Sequence, residues 1–295
     1  MYSFIVNSIN DQQLERLQRN LAHVLRDTEW ELVHIPDAKN MCEGYNRGLA
    51  RARGDHLIFC HDDIEFLPDN ICSQLAYAFQ YSDLFGVLGS RVLCSANWMR
   101  SCQPHTLGYI AQLTESGNHK IILCGLEDTL MFGVQALDGV MIGCHRHVAE
   151  QLRWDEQIFD GWHGYDVDFT YRAFQAGFNI AVVGFLPLVH YSTATFQSDD
   201  FKKYESAFSL KYPGINAERI PGKDSAHLVF GEFDPSDGSL MRWLTDNFHS
   251  LIQQTGNLRA QCAIDAIKLI TPQGYTARLT GLQLERLKPN EASVT

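Results

Sequence analysis

The sequence lacks several features that would assign it to a common class. Its 295 residues contain no uninterrupted apolar stretch of about 18 residues, which a membrane-spanning helix requires. The N-terminal residues MYSFIVNSINDQQ have neither the basic start nor the long apolar stretch of a signal peptide. The eight cysteines form no C-x-x-C pair and no zinc-finger cluster, which indicates reduced thiols. We therefore expect a cytoplasmic protein without a transmembrane segment.

Basic residues are also few. The chain has 24 Lys and Arg against 35 Asp and Glu, a formal net charge of −11, so we expect no nucleic-acid partner. The G-x-x-x-x-G-K-[ST] motif is missing, which counts against P-loop chemistry. An acidic protein that handles a phosphorylated ligand needs local positive charge, and a bound metal ion commonly supplies it.

The first ninety residues alternate between strand and helix patterns. Leu14, Leu17, Leu21 and Val24 recur at helical spacing after Asn10, and Gly54 follows the second helix as a C-terminal stop signal. Asn70 is the expected cap of the third helix. This alternation predicts an α/β fold with a mostly parallel sheet flanked by helices. The predicted strands are 3–7, 31–35, 56–60 and 85–89, and the second and third helices are 41–53 and 70–81.

The pattern is less regular further on. Residues 90–129 read as an irregular insertion, followed by a strand at 134–142, a helix at 166–176 closed by Gly177, and a strand at 179–183. We predict a first domain at 1–212 and a mainly helical C-terminal extension at 213–295, with helices ending at Gly256 and covering 258–270. The extension could dock on the first domain, pair with another subunit in a homo-oligomer, or contact a partner protein.

An acidic motif follows the third predicted strand, in the segment HLIFCHDDIEF at 56–66. Ligands of open parallel sheets bind beyond the carboxyl ends of the strands, where His61, Asp62 and Asp63 are expected. Adjacent carboxylates repel each other unless a cation is present, and Mn²⁺ or Mg²⁺ would suit them. An exposed acidic turn explains the same residues equally well. Asn46, in the preceding helix, is open to both ligand contact and simple packing.

A second motif lies in FDGWHGYDVDFTYRAFQAGF, at the start of the helix predicted at 166–176. Asp166 and Asp168 fall in its first turn, where carboxylates favour the helix dipole, so a capping role explains both. Trp162 and His163 in the preceding loop are suited to stacking on a sugar and bonding to it, or to anchoring the loop on the core.

These two motifs carry a family resemblance. The stretch 41–65 resembles the family 2 glycosyltransferases of the GT-A fold, whose pattern is an Asn-x-Gly helix, a Gly-Asp or Gly-Glu turn, an apolar strand and a D-x-D motif. It is most similar to a bacterial subgroup with H-x-D, in which His61 replaces the first acid and Asp63 is the second. The segment GYDVDF resembles the family signature G-E-D-x-D-aromatic, so Asp166 matches the catalytic base and Tyr165 replaces the Glu.

The resemblance implies a GT-A-type, Rossmann-like fold and a specific activity. It implies transfer of a sugar from a UDP-, GDP- or dTDP-sugar donor to the hydroxyl of a glycan or other acceptor, with inversion, using Mn²⁺ or Mg²⁺. In that assignment Asp166 is the base, while Asp63 and His190 bind the metal. The expected donor-binding residues are Asn7, Asp37, Asn46, His61 and Asp62, and the expected acceptor-binding residues are Asp138, Trp162 and His163.

Two other functions are compatible with the residues alone. A nucleotidyltransferase or phosphohydrolase would use the same acids and metal on a phosphate group. A non-catalytic nucleotide- or carbohydrate-binding module would keep the fold without turnover, and the replacements at His61 and Tyr165 allow for it. Retention of Asp63, Asp166 and His190 favours the glycosyltransferase.

Overall fold

The computed structural model describes residues 1–101, 104–192, 199–215, 228–234 and 238–261, and the strands 268–270, 275–280 and 283–289. The helices described are α1 (Asp11–Val24), α2 (Met41–Arg51), α3 (Cys72–Tyr81), α4 (Arg146–Leu152), α5 (Tyr165–Gln175), α6 (Asp199–Lys211) and α7 (Ser239–Gln261). The strands described are β1 (Tyr2–Asn7), β2 (Trp30–Ile35), β3 (His56–Cys60), β4 (Ile64–Phe66), β5 (Leu84–Gly86), β6 (Leu88–Ser90), β7 (Thr106–Leu113), β8 (His119–Gly125), β9 (Leu130–Phe132), β10 (Ala136–Leu137), β11 (Met141–His145), β12 (Ile180–Val183), β13 (Leu188–His190), β14 (Leu228–Phe233), β15 (Lys268–Ile270), β16 (Tyr275–Thr280) and β17 (Gln283–Pro289).

The start of the chain folds as its periodicity predicts. The Asn10 side chain accepts the N–H groups of Gln12 and Gln13 and so caps α1. Strand β1 lies between β2 and β3 and pairs in parallel with both. All of β3 after His56 is buried, as expected for a central strand covered on both faces.

The main sheet has seven strands in the order β2-β1-β3-β11-β5-β12-β9. The parallel pairs are β1–β2, β1–β3 and β5–β12. The predicted α/β class, a parallel sheet flanked by helices, is confirmed. The sheet is more mixed than we predicted, because β11 runs antiparallel between β3 and β5, and β9 runs antiparallel beside β12.

Two predicted element ends were wrong by a residue or two. Helix α2 ends at Arg51, and Gly54 is needed for close packing, because a Cβ there would lie 2.6 Å from the Met1 carbonyl oxygen. The residue that caps α3 is Ile71. The Asn70 side chain still accepts the N–H of Cys72, at 2.8 Å.

The strand predicted at 85–89 is two strands in two sheets. β5 belongs to the main sheet, and after Val87 the chain continues as β6 in a second sheet. Gly108 of β7 has φ of +91° and lies against Val87. A Cβ on Gly108 would be 1.9 Å from the carbonyl oxygen of Val87. The single strand predicted at 134–142 is likewise divided into β10 and β11, with Asp138 and Gly139 in the turn between them.

The expectation of an irregular insertion at 90–129 was wrong. This region holds the 3-10 helix Trp98–Ser101 and the antiparallel hairpin β7–β8. Strands β10-β6-β7-β13-β4 form a second sheet, to which β8 and β14 add beyond β7. Most of β7 is buried on both faces, so its sequence shows no apolar–polar alternation.

The C-terminal region contains both helix and strands. Helix α7 runs past Gly256, where we predicted its end, and buries Leu240, Leu244 and Leu251. The prediction of a separate helix at 258–270 was also wrong. Residues 258–261 belong to α7 and residues 268–270 to β15, and residues 262–267 lie outside the described residues. Strand β14 pairs with β8 across the boundary predicted at 212/213. Of the helices described, none is long and apolar enough to cross a membrane.

Candidate functional site

Strand pairing brings several polar side chains to one edge of the main sheet. Because β1 and β3 run parallel and side by side, the residues after them, Ser8 and His61, lie at neighbouring carboxyl ends. Strand β13 pairs with β4 so that His190 lies opposite Ile64. His190 thereby arrives beside Asp63, although 127 positions separate the two in the sequence.

His61, Asp63 and His190 form a three-residue cluster. The Oδ1 atom of Asp63 lies 3.3 Å from His190 Nε2 and 3.8 Å from His61 Nδ1. The two imidazole nitrogens are 3.4 Å apart. Atoms bound to one ion at about 2.1 Å lie roughly 3 to 4 Å from each other. The cluster therefore has the dimensions of one side of a metal coordination shell.

The chemistry of this cluster also fits a cation. Asp63 is buried, and its Oδ1 atom faces the two imidazoles but makes no hydrogen bond of good geometry with them, an arrangement that a bound ion would complete. Burial disfavours the carboxylate, but the two imidazoles outweigh it and lower the pKa of Asp63. Burial also lowers the pKa of His61, which favours the neutral ring that a metal requires. At His190 burial is outweighed by the Asp63 carboxylate, which raises the pKa of that ring, so that an ion would compete with a proton for it. Asp63 and the two histidines could hold a divalent ion.

The cluster borders a cavity of about 540 Å³ that we call the strand-end cavity. It is lined by Asn7, Ser8, Ile9, Ile35, Ala38, Met41, His61, Asp62, Asp63 and Trp162. Ser8 Oγ donates a hydrogen bond to Asp62 Oδ2 and fixes that carboxylate at the rim. None of these described lining residues is Lys or Arg, so the cavity itself offers a phosphate group no fixed cationic side chain.

Helix α5 begins beside this cavity. Gly164 precedes it with φ of +77°, and a Cβ there would lie 1.7 Å from the Tyr204 ring. No side chain caps the helix. Asp166 Oδ2 instead accepts the N–H of Gly139 at 2.8 Å, and the N–H of Val167 also stabilises the carboxylate. The Asp166 carboxylate thus bonds both the turn between β10 and β11 and the first turn of its own helix.

Burial and, second, the nearby charge of Asp138 raise the pKa of Asp166 to about 7. Asp138 is held by two donors, Trp98 Nε1 at 3.1 Å and the Val140 N–H at 3.0 Å. Asp166 can therefore take up or release a proton near neutral pH.

Asp166 opens on a second, smaller space of about 150 Å³ that we call the helix-start cavity. It is lined by Ala96, Asn97, Trp98, Asp138, Trp162, His163, Gly164, Tyr165, Asp166, Val167, Phe201 and Tyr204. Among the described residues, Trp162 alone lines both cavities, and 48% of it is exposed. The two cavities thus adjoin at one indole ring.

A family model described as "Glycosyltransferase like family" matches residues 3–212, which include the cluster, both cavities and Asp166. The chain belongs to the glycosyltransferase-like family. The resemblance to glycosyltransferases predicted from the two motifs is therefore confirmed at the level of this family.

Solved structures also resemble this glycosyltransferase-like chain. Residues 1–349 of S. aureus TarS, in complex with UDP-GlcNAc, are 13% identical, with a TM-score of 0.43 over 71% of this chain and 66% of that one. A longer S. aureus TarS chain is 13% identical, with a TM-score of 0.44 over 71% of this chain and 39% of that one. The protein A197 from STIV is 14% identical, with a TM-score of 0.40 over 65% of this chain and 86% of that one. The chain thus spans about two thirds or less of the TarS chains it matches, and a search of curated proteins gave no match.

Most of the predicted site residues of this glycosyltransferase-like chain meet in the two cavities. Three of them line neither cavity: His190, which belongs to the three-residue cluster beside the strand-end cavity, and Asn46 and Asp37. Both polar atoms of the Asn46 side chain bond the backbone of Trp154, at 2.8 and 3.0 Å, so Asn46 fastens α2 to the loop after α4. Asp37 is exposed and pairs with Arg47 Nη2 at 3.0 Å, beside the lining residue Ala38. Packing, one of the two roles left open for Asn46, is the role the structure gives it.

Asp168 has a structural partner set. Its fully buried carboxylate accepts from Arg172 Nε at 2.8 Å and from Tyr212 Oη and Lys211 Nζ at 2.6 Å. These contacts fasten the end of α6 to α5. Since α6 supplies Phe201 and Tyr204 to the helix-start cavity, Asp168 supports the wall of the site without lining it.

The site residues missed from the sequence include Ser8, Trp98 and Tyr204. Ser8 could have been found, because it follows a predicted strand at the same sheet edge as His61. Trp98 lies in the stretch that we predicted to be irregular, and Tyr204 in a helix that carries no motif. The Tyr204 hydroxyl donates to the Ala96 carbonyl at 2.7 Å and connects α6 to the stretch that contains Trp98. No local sequence pattern indicates this contact.

Proposed function

We propose that this chain transfers a sugar from a nucleotide-sugar donor to an acceptor hydroxyl, with metal dependence and inversion at the anomeric carbon. One observation carries the proposal: three residues that could hold a metal ion border one cavity, a carboxylate with a pKa of about 7 opens on the next, and the two cavities adjoin at Trp162. A donor in the first cavity and an acceptor in the second would place the reacting atoms at that junction.

The strand-end cavity fits the donor. Its volume of about 540 Å³ lies within the range of small-molecule sites, and its apolar members Ile9, Ile35 and Met41 offer surface to a nucleoside. A divalent ion held by Asp63, His61 and His190 would neutralise the diphosphate and stabilise the departing nucleotide. The two imidazoles favour Mn²⁺ over Mg²⁺, which prefers oxygen ligands.

The helix-start cavity fits the acceptor. Trp98 and Trp162 offer aromatic faces to a sugar ring, and His163 offers a polar group beside them. Asp166 would take the proton from the acceptor hydroxyl as the new glycosidic bond forms and the bond to the nucleotide breaks. The N–H of Gly139 holds the carboxylate in place for that step. A single displacement at the anomeric carbon inverts its configuration.

Nucleotide release from UDP-, GDP- and dTDP-sugars tests the proposal, measured with glycan acceptors, with Mn²⁺ and with a chelator. We expect release that needs both acceptor and Mn²⁺, and proton NMR should show a product anomer opposite to the donor's. Acceptor-independent release would indicate a phosphohydrolase. Binding without release from any donor would indicate a binding module, and retention of configuration would rule out the single displacement.

A further inference from the structure

Tyr165 lies between the metal-binding cluster and Asp166. It is the first residue of α5 and is buried. Its Oη atom lies 2.8 Å from His61 Nε2 and 3.4 Å from the Gly139 carbonyl oxygen. A single hydroxyl thus contacts a metal-ligand candidate on one side and the turn between β10 and β11 on the other.

These contacts are all satisfied by one arrangement of protons. For His61 Nδ1 to bind a metal, its lone pair must face the cluster, so the ring proton must be on Nε2. That N–H then donates to Tyr165 Oη, and the Tyr165 hydroxyl donates to the Gly139 carbonyl. The opposite tautomer would point a proton from Nδ1 toward His190 Nε2, 3.4 Å away, and would take the tyrosine proton away from Gly139.

Gly139 extends the connection to the proposed base. Its N–H donates to Asp166 Oδ2 at 2.8 Å, while its carbonyl faces Tyr165. A Cβ at this position would lie 2.3 Å from Tyr165 Oη and 3.0 Å from Asp166 Cβ. No other residue fits without displacing both, so the backbone of Gly139 holds the two side chains in a fixed relation.

We propose that Tyr165 is a positioning residue that sets the tautomer of His61 for metal binding and fixes the cluster relative to Asp166. The metal part of this inference rests on the proposed function. Both departures from the family pattern, histidine in D-x-D and tyrosine in G-E-D, meet in this hydrogen bond. Two carboxylates at the same 2.8 Å separation would repel each other unless they shared a proton, whereas a tyrosine and a histidine form a neutral pair.

The decisive comparison is Tyr165→Phe, which removes the hydroxyl and keeps the ring that packs against Tyr45 and Trp154. Tyr171→Phe is the matched control, because Tyr171 is a buried tyrosine on the same helix that lines neither cavity. ¹⁵N NMR of the histidine side chains in the metal-free protein reports the tautomer. We expect His61 to carry its proton on Nε2 in the unmodified chain and in Tyr171→Phe, and to become a mixture in Tyr165→Phe.

Calorimetry with Mn²⁺ alone gives the second readout. The affinity should fall by about 10–100-fold in Tyr165→Phe, the usual effect of removing the partner of a metal-bound histidine, and should be unchanged in Tyr171→Phe. An unaltered tautomer with unaltered affinity in Tyr165→Phe would overturn the inference. If the unmodified chain bound no Mn²⁺, the proposed function would lose its metal, while the tautomer comparison would still decide the role of Tyr165.

Discussion

The two cavities differ in how the chain builds them. The strand-end cavity is made mostly from the ends of neighbouring strands, so its polar residues come from short segments such as 7–9 and 61–63. The helix-start cavity combines segments around 96, 138, 162 and 201, which reach it from a 3-10 helix, a turn, a loop and α6. Regular pairing positions the first, and side-chain contacts between distant segments position the second.

Their carboxylates differ in the same way. Asp63 and Asp166 are both shielded from water, which by itself raises the pKa of each. Asp63 faces two histidines, and they reverse the shift. Asp166 faces the negative charge of Asp138, which adds to the effect of burial, and the pKa of Asp166 rises to about 7. The partner therefore decides the direction of the shift, and the two results suit the roles proposed for Asp63 as a metal ligand and for Asp166 as a base.

The sharpest test of this contrast is Asp166→Asn. Asn can still accept the N–H of Gly139 but cannot accept a proton from the acceptor, so kcat should fall by about 10²–10⁴-fold. Mn²⁺ affinity, measured by calorimetry, should be unchanged. If the carboxylate is only structural, the result should be reversed: Asn would leave turnover intact and Asp166→Ala would lower Tm. In that case Asp138 would be the next candidate base.

Asp63→Asn tests the other cavity. It keeps the size of the side chain and removes the charge between the two histidines, so Mn²⁺ affinity should fall by more than the roughly 10–100-fold typical of losing a ligand's hydrogen-bond partner. Asp62→Asn is the matched control, because Asp62 is adjacent but bonds Ser8. Calorimetry that found the larger loss in Asp62→Asn would transfer the metal assignment to that carboxylate.

The smallest expected effect is a pH shift. If Asp166 is the base, its ionised form is the active one, so kcat/KM should rise with pH and level off above about 7. Asp138→Asn removes the neighbouring negative charge, so the pKa of Asp166 should fall and the rising limb should move to lower pH.

Trp98→Phe is the control, because it removes the Trp98 Nε1 hydrogen bond to Asp138 and keeps the charge of Asp138. The rising limb of its pH profile should therefore stay where it is in the unmodified chain. A limb that stayed in place in Asp138→Asn would mean that the charge of Asp138 does not act on the group that titrates.

The sequence predicted those parts of the fold in which local pattern and tertiary structure agree. Residues 1–60 have clear apolar periodicity and a capping asparagine, and their elements are confirmed. The hairpin β7–β8 has no such signal, because both faces of β7 are covered and β6, β8 and β13 set its pairing. The division of 85–89 between two sheets likewise depends on Gly108, which no local pattern connects with Val87.

The same distinction applies to the site. His61, Asp62 and Asp63 could be placed from the strand before them, and the structure groups them as expected. His190 required the family resemblance, since its approach to Asp63 depends on the register of β13 on β4. Asp168, which differs from Asp166 by only two positions, could not be told apart from it by sequence: Arg172, Lys211 and Tyr212 decide that it is structural.

The shared indole of Trp162 has a thermodynamic consequence. Ligands in the two cavities would touch the same side chain, which is half exposed and therefore has conformational freedom to lose. Whichever ligand binds first orders the ring, and the second then binds to a surface already ordered. Such coupling is reciprocal, so an acceptor that tightens donor binding by some factor must itself be bound more tightly, by the same factor, when the donor is present.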